Sequence, residues 1–175
     1  VTLARSVPLG LDGFANSQVT VEGYAAAPAE DRHVRMNTVG PDYFKQMQIP
    51  LRRGRDFTER DDASAPLVAI VNETMAKRYW KGDPVGSRFS VGDEMLQVIG
   101  VAADSKINNV SEEPRPFFYR PVLQQYRPDM VLHVRAADPS VSAQVRDAFH
   151  RIEPNLPLLR LYTLRAHMRT SLFPQ

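Results

Sequence analysis

The sequence contains no cysteine, and this absence excludes several classes of protein. None of its 175 residues can form a disulfide, act as a thiol nucleophile or supply a thiolate to a zinc site. Long apolar runs are also missing, since no stretch reaches the roughly 20 apolar residues that a membrane-spanning helix requires. The chain also has no large excess of either charge, since its 22 basic and 20 acidic residues are interspersed and leave a net charge of +2. A nucleic-acid-binding surface is therefore not expected.

The composition includes many residues that turn or stiffen the chain. Its 14 prolines and 9 glycines predict short elements with rigid connections. A hydrophobic fraction of 43% suffices for the core of one domain or two small lobes. Because the sequence begins at Val1 without an initiating methionine or a secretory leader pattern, we expect it to be a piece of a longer protein.

Hydrophobic periodicity predicts an α+β fold rather than a regular alternation of strands and helices. Strands are predicted over 18–24, 33–39, 51–57, 66–71, 87–91, 94–101, 117–122, 130–136 and 158–162. Helices are predicted over 41–49, 73–80, 141–152 and from 165 to 173.

Local signals predict where several of these elements begin and end. Pro41 suits the first position of a helix, and Asn72 is a plausible N-cap. Gly82 can take the left-handed position that closes a helix, and Gly92-Asp93 is typical of a two-residue hairpin turn. Phe117–Val122 is predicted to be an edge strand, because prolines bracket it.

Aromatic residues at helical spacing predict a core rather than a ligand cage. Tyr43 and Phe44 lie on one face of the first predicted helix, and Tyr79 and Trp80 lie on the second. Truncation of a buried member of this set to alanine should cost on the order of 3–5 kcal/mol.

No combination of residues identifies a reaction centre, so we assign no catalytic, cofactor-binding or metal-binding residue. The acidic cluster Asp56, Glu59, Asp61 and Asp62 lacks the glycine and terminal glutamate of a calcium loop, which favours a solvated loop. The segment 82–88 lacks the Lys-Ser/Thr pair of a phosphate loop and is better interpreted as a turn. The histidines, none of which has metal-ligand spacing, are His33, His133, His150 and His167.

Two further patterns have both a functional and a structural interpretation. Arg52, Arg53 and Arg55 could contact anionic lipid headgroups, but a charged edge strand explains them better. The segments 72–74 and 109–111 match the glycosylation sequon, and the first is better explained as a helix cap.

The order of several motifs resembles the periplasmic core domain of MacB-type (FtsX-like) ABC transporter permeases. V-x-P-x-Y-F occurs at 39–44 and I-P-L-x-x-G-R-x-F-T-x-x-D at 49–61. V-A-I-V-N-E-x-M-A-x-R-Y-W follows at 68–80, D-P-x-G-x-R-F at 83–89 and V-I-G-V-x-x-D at 98–104. The resemblance extends over nearly the whole chain.

The resemblance implies a two-lobed fold and a mechanical function. It implies a porter-like βαβ lobe from residues 1–42 and 126–175, and a small mixed α/β lobe inserted at 43–125. The domain would lie outside the inner membrane, facing the periplasm, and couple ATP-driven motion of the membrane segments to substrate movement, in export or efflux. It would itself be non-catalytic and bind no cofactor. Its implied partners are its own flanking transmembrane helices, a cytoplasmic ABC ATPase and, in some members, a second permease copy or a periplasmic adaptor.

Two other classes of function remain open at this point. The first is a periplasmic ligand-binding or sensor module for a peptide or lipid, which requires a concave apolar pocket with a few converging polar groups. The second is an enzyme, which requires a nucleophile, a base and an orienting group that the sequence does not bring together.

Overall fold

The computed structural model describes residues 1–9, 13–109, 111–138, 140–154 and 161–167 of the chain. Within these ranges the strands are β1 (Thr2–Ala4), β2 (Ala15–Val21), β3 (His33–Val39), β4 (Leu51–Gly54), β5 (Val68–Asn72), β6 (Arg88–Val91), β7 (Glu94–Ala102), β8 (Phe117–Pro121) and β9 (Val131–His133). The helices are α1 (Tyr43–Met47), α2 (Glu73–Tyr79) and α3 (Val141–Ile152).

Six of the strands close into a ring. They are hydrogen-bonded in the order β2-β6-β7-β5-β8-β3, and β2 also pairs with β3, which completes the circuit. The pairs β3–β8 and β5–β7 are parallel, whereas the other four pairs of the ring are antiparallel. Outside the ring, β4 pairs with β7, while β1 pairs with the end of β3 and carries β9 on its other side.

The first hydrophobic cluster, here called the ring core, draws on every strand of the ring. Alternate residues of a strand point to opposite faces, so each strand contributes one face to this cluster. The contributing strand residues are Val19, Val21, Val34, Met36, Ala69, Val71, Phe89, Leu96, Val98, Val101 and Phe118. Met75 and Tyr79 of α2 belong to the same cluster.

The second cluster, here called the α1 core, uses the opposite faces of the same central strands. Val68 and Ile70 of β5 belong to it, although Ala69 and Val71 belong to the ring core. Tyr43 and Phe44 of α1 pack against this face and are each 1% exposed. Because β5 and β8 are covered on both faces, all of their residues are buried.

Several local predictions are confirmed. The strand 33–39 and the helix 141–152 have the predicted bounds. Asn72 caps α2, because its side chain accepts a hydrogen bond from the Met75 amide. The hairpin between β6 and β7 turns at Gly92, which has a φ of 58°. The predicted aromatic core is also confirmed, since Tyr43, Phe44 and Tyr79 are buried and Trp80 packs against the ring core.

The prediction that 117–122 is an edge strand is wrong. β8 lies between β3 and β5 and is buried along its whole length. Proline limits pairing only through its missing N–H group. Pro121 is the last residue of β8, and the next amide, that of Val122, donates to the carbonyl of Val39 at 2.8 Å. The proline therefore interrupts no hydrogen bond inside the strand.

Two predicted helix boundaries are also wrong. α1 begins at Tyr43, and Asp42 rather than Pro41 occupies the position before it, with a left-handed φ of 61°. α2 ends at Tyr79, and the backbone of the following residue, Trp80, is extended, so no left-handed residue closes the helix there. Gly82 is not among the glycines with positive φ in the described residues.

The mixed α/β fold is confirmed, whereas the predicted division into lobes stays a prediction. β2 and β3 belong to the predicted segment 1–42, and they pair with β6 and β8 of the segment 43–125. The hydrogen-bonded sheet therefore crosses the predicted boundary. Any division into lobes would have to be bridged by these backbone hydrogen bonds.

The last part of the chain is only partly described. The strand predicted over 130–136 is shorter, with bounds Val131–His133. Most of the strand predicted over 158–162 and of the helix predicted over 165–173 lies outside the described residues.

Candidate functional site

The four histidines do not converge on one site. They lie on β3, on β9, on α3 and in the segment 161–167, and they are His33, His133, His150 and His167. Among the residues that the structure describes, no group of three or more His, Cys, Asp or Glu residues is placed to hold a metal ion.

The acidic cluster lies in the loop between β4 and β5 and consists of Asp56, Glu59, Asp61 and Asp62. Its most buried member is Asp61, which is 3% exposed. Both Asp61 carboxylate oxygens accept hydrogen bonds from Arg55 at 2.7 Å, and one also accepts from the amide and hydroxyl of Thr58. The prediction of a solvated loop holds for Glu59, which is exposed, but not for Asp61, whose buried carboxylate bonds to other residues of the same loop. The Arg55 guanidinium lowers the pKa of Asp61.

The basic residues of the 52–55 segment are each paired with a carboxylate. Arg52 Nε lies 3.7 Å from Oε2 of Glu73 at the start of α2, and Arg53 Nη1 lies 3.7 Å from Oδ1 of Asp83. Arg55 forms the bidentate pair already described. These contacts support the structural interpretation over a lipid-binding one, because neighbouring carboxylates offset the positive charges.

The segment 82–88 forms a turn, as predicted. Asp83 Oδ1 accepts from the Val85 amide at 3.1 Å, and the Ser87 amide donates to the Pro84 carbonyl at 2.9 Å. The chain then enters β6 rather than a helix, so its amides are not arranged around a phosphate.

Asn72 is the centre of a buried polar network. Its Oδ1 accepts from the amides of Met75 and Phe117, both at 2.9 Å, and its Nδ2 donates to the Arg115 carbonyl at 2.8 Å. Asn72 is 2% exposed, so the sequon at 72–74 is not accessible in the folded chain. The side chain instead joins α2 to the start of β8.

Asp104 completes this network, and sequence reasoning missed its role. Its Oδ1 accepts from Nδ2 of Asn72 at 2.6 Å and from the Thr74 amide at 3.0 Å, and its Oδ2 accepts from the Thr74 hydroxyl at 2.8 Å. A carboxylate at the N-terminus of a helix satisfies amides that have no partner within the helix. The signal was available, since Asp104 follows an apolar strand and closes the V-I-G-V-x-x-D motif.

A second buried charge was also missed. Arg120 of β8 is 1% exposed and donates to both carboxylate oxygens of Glu94, at 2.7 and 3.3 Å. This ion pair links the β6–β7 hairpin to β8. The guanidinium lowers the pKa of Glu94. The sequence signal is a single arginine inside the otherwise apolar run Phe117–Val122.

A depression of about 520 Å³ lies on the described surface. Its floor and rim are formed by Glu22, Pro66, Leu67, Gly86, Arg88, Met95 and Gln97. The charged residues at its rim pair with each other, since Arg88 Nε lies 3.2 Å from a carboxylate oxygen of Glu22. They do not converge on the interior, as the polar groups of a ligand pocket do.

These polar groups therefore hold the strands, helices and loops of the fold together. The sequence profile of the family described as MacB-like periplasmic core domain matches residues 3–152, which is most of the chain. The chain belongs to this family. No curated protein gave a significant match.

Crystal structures with a similar fold agree with this MacB-like assignment. The periplasmic region of MacB from Actinobacillus actinomycetemcomitans is 17% identical, with a TM-score of 0.57 over 86% of this chain and 66% of that one. A domain of a protein described as a permease from Porphyromonas gingivalis is 16% identical, with a TM-score of 0.51 over 96% of this chain and 80% of that one. At such identities the similarity shows the fold alone. The chain spans about two thirds of the MacB region.

The exposed apolar residues of this MacB-like domain are concentrated after β8. No side chain of α3 is fully buried, and Ile152 at its end is 84% exposed. The apolar stripe predicted to be the inner face of this helix is its less exposed side, since every member except Ile152 is half-buried. No described helix combines the length and the apolar character needed to cross a membrane. The members of the stripe are Val141, Val145, Ala148, Phe149 and Ile152.

Proposed function

We propose that this chain is the extracytoplasmic domain of an ABC transporter permease subunit. In this role it couples ATP-driven motion of membrane segments to movement of substrate outside the membrane, in export or efflux. The observation that carries the proposal is the match of the MacB-like periplasmic core domain to residues 3–152. The domain itself is non-catalytic, and ATP is hydrolysed by a separate cytoplasmic domain or subunit.

The arrangement of β1 and β9 supports this mechanical role. The two strands are antiparallel neighbours, with Leu3 opposite Leu132, at the border of the sheet. Segments that precede β1 and follow β9 would therefore approach the domain at one place, as expected for a domain inserted between two membrane helices. A displacement of β1 would reach the ring through its pairing with β3.

The two-lobe description belongs to the same proposal. The porter-like lobe, 1–42 with 126–175, would receive the motion of the membrane segments. The small lobe, 43–125, would carry this motion farther from the membrane. Support comes from the pairings β2–β6 and β3–β8, which would join the lobes through backbone hydrogen bonds. Such bonds resist shear better than side-chain contacts, because several must break together.

The remaining parts of the assembly are proposed by analogy with the family. The domain would face the periplasm from the inner membrane and work with its own flanking transmembrane helices and a cytoplasmic ABC ATPase. A second permease copy and a periplasmic adaptor are further partners of the proposed assembly.

The absence of cysteine allows a direct test of location. In the longer protein, with any cysteine outside this domain replaced by serine, Lys81→Cys places one thiol on the exposed segment after α2, whereas Val71→Cys buries it in the ring core. A membrane-impermeant maleimide should label Lys81→Cys in cells whose inner membrane is intact. Val71→Cys should be labelled only after denaturation. Labelling of Lys81→Cys solely after lysis of the inner membrane would place the domain in the cytoplasm and refute the proposal.

The gene sequence gives an independent check. Apolar runs of about 20 residues should flank the segment on both sides. Soluble flanks would contradict the proposal.

The hypothesis of a ligand-binding or sensor module receives less support. The depression beside Pro66 and Met95 is open to solvent, and Met95 at its rim is 45% exposed. Its charged groups, Glu22 and Arg88, are satisfied by each other. A thermal shift with lipids or peptides that is lost in Met95→Ser would revive this hypothesis.

A further inference from the structure

β9 is held to the rest of the molecule by few polar contacts. It pairs with three residues of β1 and has no other strand partner in the described chain. Arg5 and Asp129 form an ion pair of 3.3 Å just before it, and Arg135 donates to the Gln46 carbonyl at 3.0 Å just after it. Because these contacts are exposed to solvent, they contribute little to its attachment.

The main buried contact of β9 is the imidazole of His133. The ring meets Tyr43 edge-on, with ring centres 6.2 Å apart and planes at 88°. Tyr43 is 1% exposed and belongs to the α1 core. The other two residues of β9, Val131 and Leu132, are 40% and 37% exposed. His133 is thus the residue through which β9 reaches the hydrophobic interior.

The environment of this imidazole suits its neutral form. Its Nε2 is inaccessible to solvent and has no hydrogen-bond partner among the described residues. A proton on Nε2 of the cation would therefore be buried without an acceptor, which costs free energy.

We propose that His133 is a proton-sensitive anchor: its neutral imidazole holds β9 against β1 and α1, and its protonation releases β9 together with the α3 segment that follows. The sign follows from linkage. Burial lowers the pKa of His133, so the released state binds the proton more readily than the attached state. Attachment is therefore fully stable above the ordinary histidine pKa of about 6.5 and is weakened as the pH falls below it.

Other charged groups of the surrounding elements have to be separated from this effect. They are Asp42 and Lys45 at α1, Arg5 after β1, and Asp129 and Arg135 on either side of β9. Of these, Asp129 forms the ion pair with Arg5, so Asp129→Asn separates the contribution of that pair from the contribution of His133.

Hydrogen exchange of the whole chain, followed by mass spectrometry at pH 8.0 and pH 5.5, tests the proposal. After correction for intrinsic rates, the amides of 129–135 should open at least about threefold more often at the lower pH. The amides of β5 should show no such change. In His133→Phe, which keeps an aromatic ring but cannot be protonated, the difference between the two pH values should disappear, whereas Asp129→Asn should retain it.

Three results would overturn the proposal. These are equal protection of 129–135 at both pH values in the unsubstituted chain, an unchanged response in His133→Phe, and loss of the response in Asp129→Asn. If His133→Phe does not fold, a titration of the unsubstituted chain followed by NMR decides. A His133 signal that titrates above about 6.5 would contradict the buried neutral anchor. The proposal does not depend on the transporter assignment.

Discussion

At the scale of single residues, the polar side chains within the sequence motifs stabilise the fold. Asn72 and Asp104 satisfy amides of α2 and β8. Arg55 and Asp61 close the loop before β5. Arg120 is a buried cation on β8 that forms an ion pair with Glu94. The motif residues thus stabilise the fold, and the proposed function rests on the family to which the chain belongs.

Asn72→Ala should lower the free energy of unfolding by at least about 2 kcal/mol. The substitution removes the cap of α2 and leaves the buried Phe117 amide without its acceptor. Chemical denaturation followed by the fluorescence of Trp80 measures the loss. The matched control is Asn109→Ala, which replaces an exposed asparagine and should change stability by no more than about 0.5 kcal/mol. Equal stability of Asn72→Ala and the unsubstituted chain would refute the role of the network.

The Arg120–Glu94 pair should respond unequally to the loss of its two members. Glu94→Ala leaves a guanidinium that is 1% exposed without its counter-ion and should destabilise the chain by about 1–3 kcal/mol. Arg120→Met removes the buried charge itself and leaves Glu94, whose side chain is 48% exposed, in contact with water. Arg120→Met should therefore be the milder change. Denaturation of both variants at pH 7 compares them, and the reverse order would contradict this account.

Stability should also fall in acid because of Asp61. Arg55 lowers the pKa of this carboxyl, so the folded chain holds the ionised form more strongly than the unfolded chain. The stabilisation is complete above the ordinary pKa of about 4 and is lost as the pH falls through the lowered folded value. In Asp61→Asn this part of the acid dependence should be absent. Unfolding measured from pH 7 to pH 3 tests it, and parallel curves for the two proteins would be the contrary result.

At the scale of elements, sequence predicted best what depends on neighbouring residues. Alternation gave the bounds of β3, and an amphipathic pattern gave those of α3. β8 was misassigned because two prolines suggested an edge, although Pro121 lies where no internal hydrogen bond is needed. The buried ion pair of Arg120 was not predicted either, because its partner Glu94 is 26 residues away in the sequence. Closure of the ring depends on the pairing of β2 with both β3 and β6, and no local pattern contains it.

The junction of β4 and β7 should be the least tolerant position for an added methyl group. A Cβ on Gly54 would lie 2.1 Å from the Ile99 carbonyl oxygen, and the φ of Gly54 is 71°. Gly54→Ala should therefore cost at least about 1 kcal/mol through strain and displacement of β4. Gly82→Ala is the control, because nothing lies within 4 Å of its Cβ position and its φ is not left-handed. A thermal melt in which Gly82→Ala is the less stable variant would oppose this interpretation.

At the scale of the whole molecule, the closed ring predicts one cooperative unit that includes both predicted lobes. β2 and β3 of 1–42 share the ring core with β5 to β8 of 43–125, so neither set can be exposed without opening the other. Native-state hydrogen exchange should therefore give the slowest amides of β3 and of β7 the same opening free energy, with the same denaturant dependence.

The amides of α3 should exchange through smaller openings, because no side chain of this helix is fully buried. Val71→Ala, a truncation within the ring core, should lower the opening free energy of β3 and β7 by equal amounts while leaving that of α3 unchanged. A truncation that affects β7 but spares β3 would show that the two predicted lobes unfold independently. In that case force could not pass between them through the ring, and the proposed mechanical coupling would need another route.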